Sequence, residues 1–81
     1  MRLPRDIGGE QLVQLLGKFG YKVTRQTGSH IRLSSKLKDE EHHLTIPNHS
    51  PLKIGTLNSI VNSAAEYLKI SKQEVINKLF S

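Results

Sequence analysis

Residues 21–33 read Tyr21-Lys22-Val23-Thr24-Arg25-Gln26-Thr27-Gly28-Ser29-His30-Ile31-Arg32-Leu33, and this stretch decides the fold. Polar and apolar residues alternate on both sides of the Thr27-Gly28-Ser29 segment, which is the pattern of two strands joined by a turn. A third alternating stretch runs through Leu44-Thr45-Ile46 and ends at Pro47. Short strands that follow one another closely along a chain favour an antiparallel meander.

Helical patterns lie on both sides of the three strands. Apolar residues spaced three and four apart predict a first helix over about residues 9–19, with Gly20 in position for a left-handed C-cap. A second set predicts a helix that includes Leu57, Ile60, Val61, Ala64 and Leu68. Ser71 and Glu74 have the spacing of a capping box, which predicts a short third helix after them.

The order of elements is therefore α-β-β-β-α with a short extra C-terminal helix, an α+β fold in a single domain over residues 1–81. A three-stranded antiparallel sheet must bury one face, and we expect the amphipathic helices to cover it. The strand residues predicted on that buried face are Val23, Ile31, Leu33, Leu44 and Ile46. The period of two then predicts that His30 lies on the other face, or at the leading edge of its strand beside the turn.

Composition favours a polyanionic partner. Twelve Lys and Arg residues against seven Asp and Glu residues give a formal charge of +5 and a sequence pI near 9.8. Such a balance favours nucleic acid over an anionic membrane, although many small domains carry this charge for solubility alone. The absence of cysteine excludes disulfides and thiolate zinc sites. No signal peptide and no apolar run of about 20 residues is visible, so we expect a cytoplasmic protein without a membrane partner.

Three motifs, in order, resemble a known family. They are Arg25-Gln26-x-Gly28-Ser29-His30, then Thr45-Ile46-Pro47-x-His49, then Lys53-x-Gly55-Thr56-Leu57-x-x-Ile60. Their order and spacing, over about residues 3–66, resemble the HicA toxins of HicA–HicB toxin–antitoxin systems. The resemblance implies a fold like that of double-stranded-RNA-binding domains. It also implies an mRNA interferase, which is an endoribonuclease that arrests translation, and a HicB-like antitoxin as protein partner.

His30 is the candidate catalytic residue. Histidine exchanges protons near neutral pH, because its unperturbed pKa is about 6.5. RNA supplies its own nucleophile, the 2′-hydroxyl, so a ribonuclease needs a proton acceptor, a proton donor and a positive charge near phosphorus. His30 is flanked by Arg25 and Arg32, which suit phosphate. The sequence leaves open whether His30 is the acid or the base, and a surface histidine on a sheet is the alternative without the family resemblance.

Further residues are candidates for RNA binding. Arginines at 25 and 32 suit phosphate, and Ser29 could donate from the turn. His49 is a weaker candidate, either as a second proton donor or simply as a loop residue near proline. Lys53 and Thr56 lie where the second helix should begin, and free N–H groups at a helix N-terminus attract phosphate. The full set predicted to contact RNA is Arg25, Ser29, Arg32, His49, Lys53 and Thr56.

We expect cleavage without a metal or other cofactor. His42 and His43 are adjacent in a strand, so their side chains should point to opposite faces and cannot form a metal pair. The acidic run Asp39-Glu40-Glu41 falls in a polar loop predicted over residues 34–41 and is expected to be solvated. No other cluster of oxygen ligands suits Mg²⁺.

Two other functions are compatible with the sequence. One is a non-catalytic RNA-binding module of the same fold, in which His30 contributes only a hydrogen bond. The other is a protein-interaction domain whose basic surface docks an acidic partner. Cleavage of RNA, and its loss when His30 is replaced, distinguishes the ribonuclease from both.

Overall fold

The computed structural model describes residues 3–80, which form a three-stranded antiparallel sheet with its helices packed on one face. Helix α1 spans Gly9–Leu16 and continues as a 3₁₀ turn over Gly17–Phe19. Strands β1, β2 and β3 span Lys22–Thr27, His30–Ser35 and His42–Pro47, and they lie in that order in the sheet. Helices α2 and α3 span Ile54–Leu68 and Lys72–Phe80. The predicted α-β-β-β-α order with an extra helix is confirmed.

The predicted helix ends are formed by backbone and side-chain caps. The Gly8 N–H donates to Gln11 Oε1 at 2.8 Å, which satisfies a free donor at the start of α1. Gly20 adopts a left-handed conformation (φ 80°) and ends the 3₁₀ turn. At the start of α3, the Glu74 N–H donates to Ser71 Oγ at 3.0 Å and the Ser71 N–H approaches Glu74 Oε1 at 3.4 Å. These contacts form the expected capping box.

The core lies between the helices and one face of the sheet. Ile31, Leu33, Leu44 and Ile46 are buried there, as the period of two predicts. The helices contribute apolar stripes that complete a single cluster, including Leu12, Leu16, Phe19, Leu57, Val61, Leu68, Val75 and Leu79. Tyr21 is buried in this cluster, whereas Tyr67 and Phe80 are only partly buried against it.

Val23 is the exception, because the prediction that it belongs to the core is wrong. Its residue surface is 50% exposed. It lies on the edge strand β1, in a hollow that it shares with Glu10, Val13 and Gln14 of α1. The pairing with β2 is also irregular between Val23 and Arg25, which is a β-bulge at Thr24. Of the α1 side chains that line this hollow two are polar and only Val13 is apolar, so half of Val23 stays exposed.

Strand β2 is longer than the alternation indicates. Ser34 and Ser35 were expected in the loop, yet both pair with β3 and both are buried. Polar side chains can be buried here because they are satisfied, and Ser35 donates to the Phe19 carbonyl at 3.1 Å. The connection to β3 therefore covers only residues 36–41.

Among residues 3–80, none of the helices combines the length and the apolar character that crossing a membrane requires.

Candidate nucleic-acid interface

The helices formed within residues 3–80 leave one face of the sheet uncovered, and the side chains of that face form three transverse rows. Pairing places Thr27, His30 and Pro47 opposite one another at one end. Arg25, Arg32 and Thr45 form the middle row. Lys22, Ser34 and His43 form the third row. We call this surface the open face, and it contains the candidate chemistry because β2 alternates these residues with core residues.

The centre of the open face holds two arginines directly opposite each other on neighbouring strands. Arg25 pairs with Arg32 in the register, and both are exposed. Within residues 3–80, neither guanidinium has a salt-bridge or hydrogen-bond partner. Like charges directly opposite in a sheet repel each other. A bound anion would remove that repulsion, so the pair is suited to a phosphate group.

His30 is the first residue of β2 and its side chain is exposed. It follows Gly28, whose positive φ of 51° lets the chain turn sharply between β1 and β2. His30 and Arg32 are two residues apart on one strand, so their side chains share the open face with Cα atoms about 6.8 Å apart. Across the described chain, 3–80, the imidazole of His30 has no hydrogen-bond partner. It is therefore available to form a hydrogen bond with a bound molecule.

Backbone contacts attach the loop that carries His49 to the same end of the domain. The Asn48 N–H donates to the Ser29 carbonyl at 2.7 Å, which joins this loop to the β1–β2 turn. The Gly9 N–H donates to the His49 carbonyl at 2.9 Å, which joins it to the start of α1. Ser29 and His49, both exposed, thus lie on adjoining segments beside His30.

Lys53 and Thr56 occupy the start of α2, as predicted, and they do not lie on the open face. Lys53 is the N-cap residue and provides no side-chain hydrogen bond to the helix. The first turn of α2 contains no acidic residue, so its free N–H groups are not balanced by a carboxylate. Lys53 is exposed and Thr56 is half-buried. This segment follows the 48–52 loop and lies on the helical side of the same end.

The third row of the open face contains residues that sequence reasoning missed. A groove of about 730 Å³ runs along this face, and Arg25, Arg32, Ser34 and His43 contribute to its walls. The Ser34 hydroxyl lies 2.6 Å from His43 Nδ1, and His43 Nε2 lies 3.1 Å from Glu41 Oε1. Glu41 also contacts Lys36, at 3.6 Å. Glu41 is exposed, as expected for the acidic run, and the expectation missed its pairing with His43 and Lys36.

His42 points to the helical side, so the expected divergence of His42 and His43 is confirmed. Its ring lies 2.7 Å from the Tyr21 hydroxyl, 3.2 Å from Ser63 Oγ, and stacks on Tyr67 with centroids 4.7 Å apart. Burial lowers the pKa of His42, and the neighbouring His43 adds to this effect, while Glu66 opposes it. Burial also raises the pKa of Tyr21 well above its ordinary value, with a further contribution from Tyr67.

Residues 3–80 contain no group of three or more His, Asp or Glu side chains arranged to hold a metal ion. The open face instead combines imidazoles, hydroxyls and unpaired guanidiniums. This chemistry suits proton transfer around a bound phosphate.

The family model described as the HicA toxin of bacterial toxin–antitoxin systems matches residues 9–69, which is most of the chain and includes every candidate site residue. The chain belongs to the HicA toxin family. As a HicA-family toxin it is one half of a toxin–antitoxin pair, so an antitoxin partner is implied. Neither the curated proteins nor the solved structures contain a significant match to it.

Proposed function

We propose that this HicA-family toxin is an endoribonuclease, an mRNA interferase that cleaves RNA by acid–base catalysis with His30 and so arrests translation. The observation that carries the proposal is the position of His30, an exposed imidazole one row from an unpaired arginine pair on the open face. An imidazole can transfer a proton near neutral pH, and two guanidiniums can hold the phosphate beside it.

The reaction requires a proton acceptor, a proton donor and positive charge near the phosphate. The 2′-hydroxyl of RNA attacks the adjacent phosphorus once its proton is removed, and the 5′-oxygen leaves once it is protonated. His30 performs one of these transfers, and Arg25 and Arg32 stabilise the charge that develops on the phosphate oxygens. Because the RNA provides the nucleophile, the proposed mechanism needs no metal ion and no organic cofactor.

RNA contacts continue around the turn end of the domain. Ser29 and His49 adjoin His30, and Lys53 and Thr56 offer a cation and free N–H groups at the start of α2. We expect a strand of RNA to cross the arginine pair and reach this end. The exposed surface offers no tryptophan and no aromatic platform from Phe19 or Tyr21, which are buried, so binding should be mainly electrostatic.

The antitoxin in this proposal is a HicB-like protein that covers the open face. A protein that covers the arginine pair would exclude RNA and mask His30 at the same time. The net charge of +5 favours an acidic surface on that partner.

The test measures RNA integrity after incubation with the purified protein in EDTA, comparing the wild type with His30→Ala and the control Lys78→Gln on α3. Cleavage by the wild type that is lost in His30→Ala and retained in Lys78→Gln is the expected result. Circular dichroism must show that both variants are folded. Intact RNA with every protein, together with salt-sensitive RNA binding, would instead identify a non-catalytic RNA-binding module.

A further inference from the structure

We propose that His43, acting through the Ser34 hydroxyl, is the second proton-transfer group of the site and donates the proton that the leaving 5′-oxygen needs. The proposal rests on the proposed ribonuclease function and assigns the base role to His30. Acid–base cleavage of RNA requires both a proton acceptor and a proton donor, and His30 alone supplies one of them in each reaction.

The contacts of His43 define its hydrogen-bonding state. Its Nε2 lies 3.1 Å from Glu41 Oε1, which is an ion pair when the imidazole is protonated. Its Nδ1 lies 2.6 Å from Ser34 Oγ. In the imidazolium form Nδ1 donates to the serine oxygen, which leaves the Ser34 hydroxyl to donate elsewhere, with Thr24 Oγ1 3.4 Å away. Glu41 thus stabilises the protonated ring through its negative charge.

Glu41 is itself held in place. Its second oxygen, Oε2, lies 3.6 Å from the Lys36 ammonium at the other end of the same short loop. The loop is further attached to α2, because the Tyr67 hydroxyl donates to the Glu40 carbonyl at 2.6 Å and accepts from the Lys38 N–H at 2.9 Å. The His43 and Glu41 side chains are each about two-fifths exposed. Ser34 is only 9% exposed, and it borders the groove of the open face, from which a ligand would reach it.

The rows of the open face give the spacing that the reaction requires. His30 and Ser34 are four residues apart on β2, with the arginine pair in the row between them. Their Cα atoms are therefore roughly 13 Å apart along the strand. A phosphate over the arginine pair, with one hydrogen bond of about 2.8 Å to each side, spans less than this Cα separation, so the His30 and Ser34 side chains must extend toward it to close the gap. The two groups thus flank the site where in-line displacement must occur.

The proton transfers balance. His30 takes the proton of the 2′-hydroxyl as the 2′-oxygen bonds to phosphorus. The bond between phosphorus and the 5′-oxygen breaks, that oxygen takes the Ser34 hydroxyl proton, and Ser34 regains a proton from His43 Nδ1. The products are a 2′,3′-cyclic phosphate and a 5′-hydroxyl, with His30 protonated and His43 neutral. Exchange of both histidines with water restores the starting state.

A modified substrate separates this role from a structural one. RNA with a single sulfur in place of the 5′-bridging oxygen needs no acid, because a thiolate leaves without being protonated. The wild type, His43→Ala and His30→Ala are each given the oxygen and the sulfur substrates in EDTA. We expect His43→Ala to lose about 10²–10⁴-fold in rate on the oxygen substrate and to approach the wild-type rate on the sulfur substrate. His30→Ala should be slow on both.

Controls distinguish the possible failures. If the wild type cleaves neither substrate, the proposed function fails and this assignment fails with it. If the wild type is active and His43→Ala matches it on the oxygen substrate, only the role of His43 is overturned. A folded His43→Ala that is equally slow on both substrates would also overturn the acid role of His43. The same holds if the sulfur substrate restores the rate of His30→Ala and not that of His43→Ala. Ser34→Ala should repeat the behaviour of His43→Ala, including its rescue by sulfur.

Discussion

Arg25 and Arg32 lie directly opposite each other on β1 and β2, and the described residues 3–80 place no acidic side chain against either guanidinium. This arrangement costs stability in the absence of an anion, because like charges opposite in a sheet repel. Arg25→Gln should therefore raise the free energy of unfolding at low salt, by roughly 0.2–1 kcal/mol. Chemical denaturation measures the change, and Lys78→Gln on α3 serves as control. A less stable Arg25→Gln would contradict the unpaired state of the arginines.

RNA binding should depend on the same arginine pair. Each phosphate contact to single-stranded RNA contributes about 0.7 to the slope of log affinity against log salt. Arg32→Ala should weaken binding to RNAs of different sequence alike and reduce that slope by about this amount. Titration of a labelled RNA at several salt concentrations gives the slope. The Lys78→Gln control, on the opposite side of the domain, should keep both the affinity and the slope of the wild type.

Gly9 should be intolerant of any side chain. A Cβ atom on Gly9 would collide with the Pro47 carbonyl oxygen, which belongs to the backbone at the end of β3 and cannot easily move. Gly9→Ala should destabilise the protein by about 1–3 kcal/mol through overpacking. Gly55→Ala is a matched control, because its Cβ would meet nothing within 4 Å and its helical position favours alanine. Thermal unfolding of both variants tests this, and equal loss in the two would contradict the close approach at Gly9.

Stability should fall at mildly acidic pH because of His42. Burial, and then His43, lower its pKa in the folded protein despite the opposing Glu66, so the unfolded state binds the proton more readily. The contribution of His42 is therefore complete above its unfolded pKa of about 6.5 and declines as the pH falls below that value. His42→Gln should flatten the difference between melting temperatures at neutral pH and near pH 5. The other histidines and Glu66 are present in both proteins; an unchanged pH profile would argue against this assignment.

Tyr67→Phe should loosen the loop over residues 36–41 while leaving the ring stacked on His42. The lost hydroxyl bonds to the Lys38 N–H and to the Glu40 carbonyl, and a typical hydrogen bond contributes about 1 kcal/mol. Hydrogen exchange of the Lys38 amide should become faster. Exchange in the middle of β2 provides the internal control, since those amides pair with neighbouring strands and should be unaffected.

The secondary structure could be predicted from local patterns wherever a residue type strongly favours one backbone conformation. Gly20 and the Ser71–Glu74 pair marked helix ends correctly, because each acts within a few residues of the chain. The failure at Val23 had a different origin. Its alternation was correct, but its burial depended on which side chains of α1 lie over the edge strand, and that is a property of packing rather than of sequence period.

The candidate site was predictable in part. The period of two placed His30 and Arg32 on one face, and it also indicated that His43 lies away from the core. The link from Ser34 to His43 and Glu41 could not be found in this way, because it requires the register between β2 and β3 and the length of the loop between them. If that register were shifted by one residue, Ser34 would lie opposite a different residue of β3.

The alternation along β2 also separates loss of stability from loss of the proposed activity. Residues 31 and 33 hold the core together, while residues 30 and 32 carry the proposed chemistry on the other side of the same strand. Under the proposed function, a substitution on the open face should therefore abolish cleavage without exposing apolar surface. Such a variant would stay folded and, if the antitoxin recognises the surrounding surface, would still compete with the wild type for it.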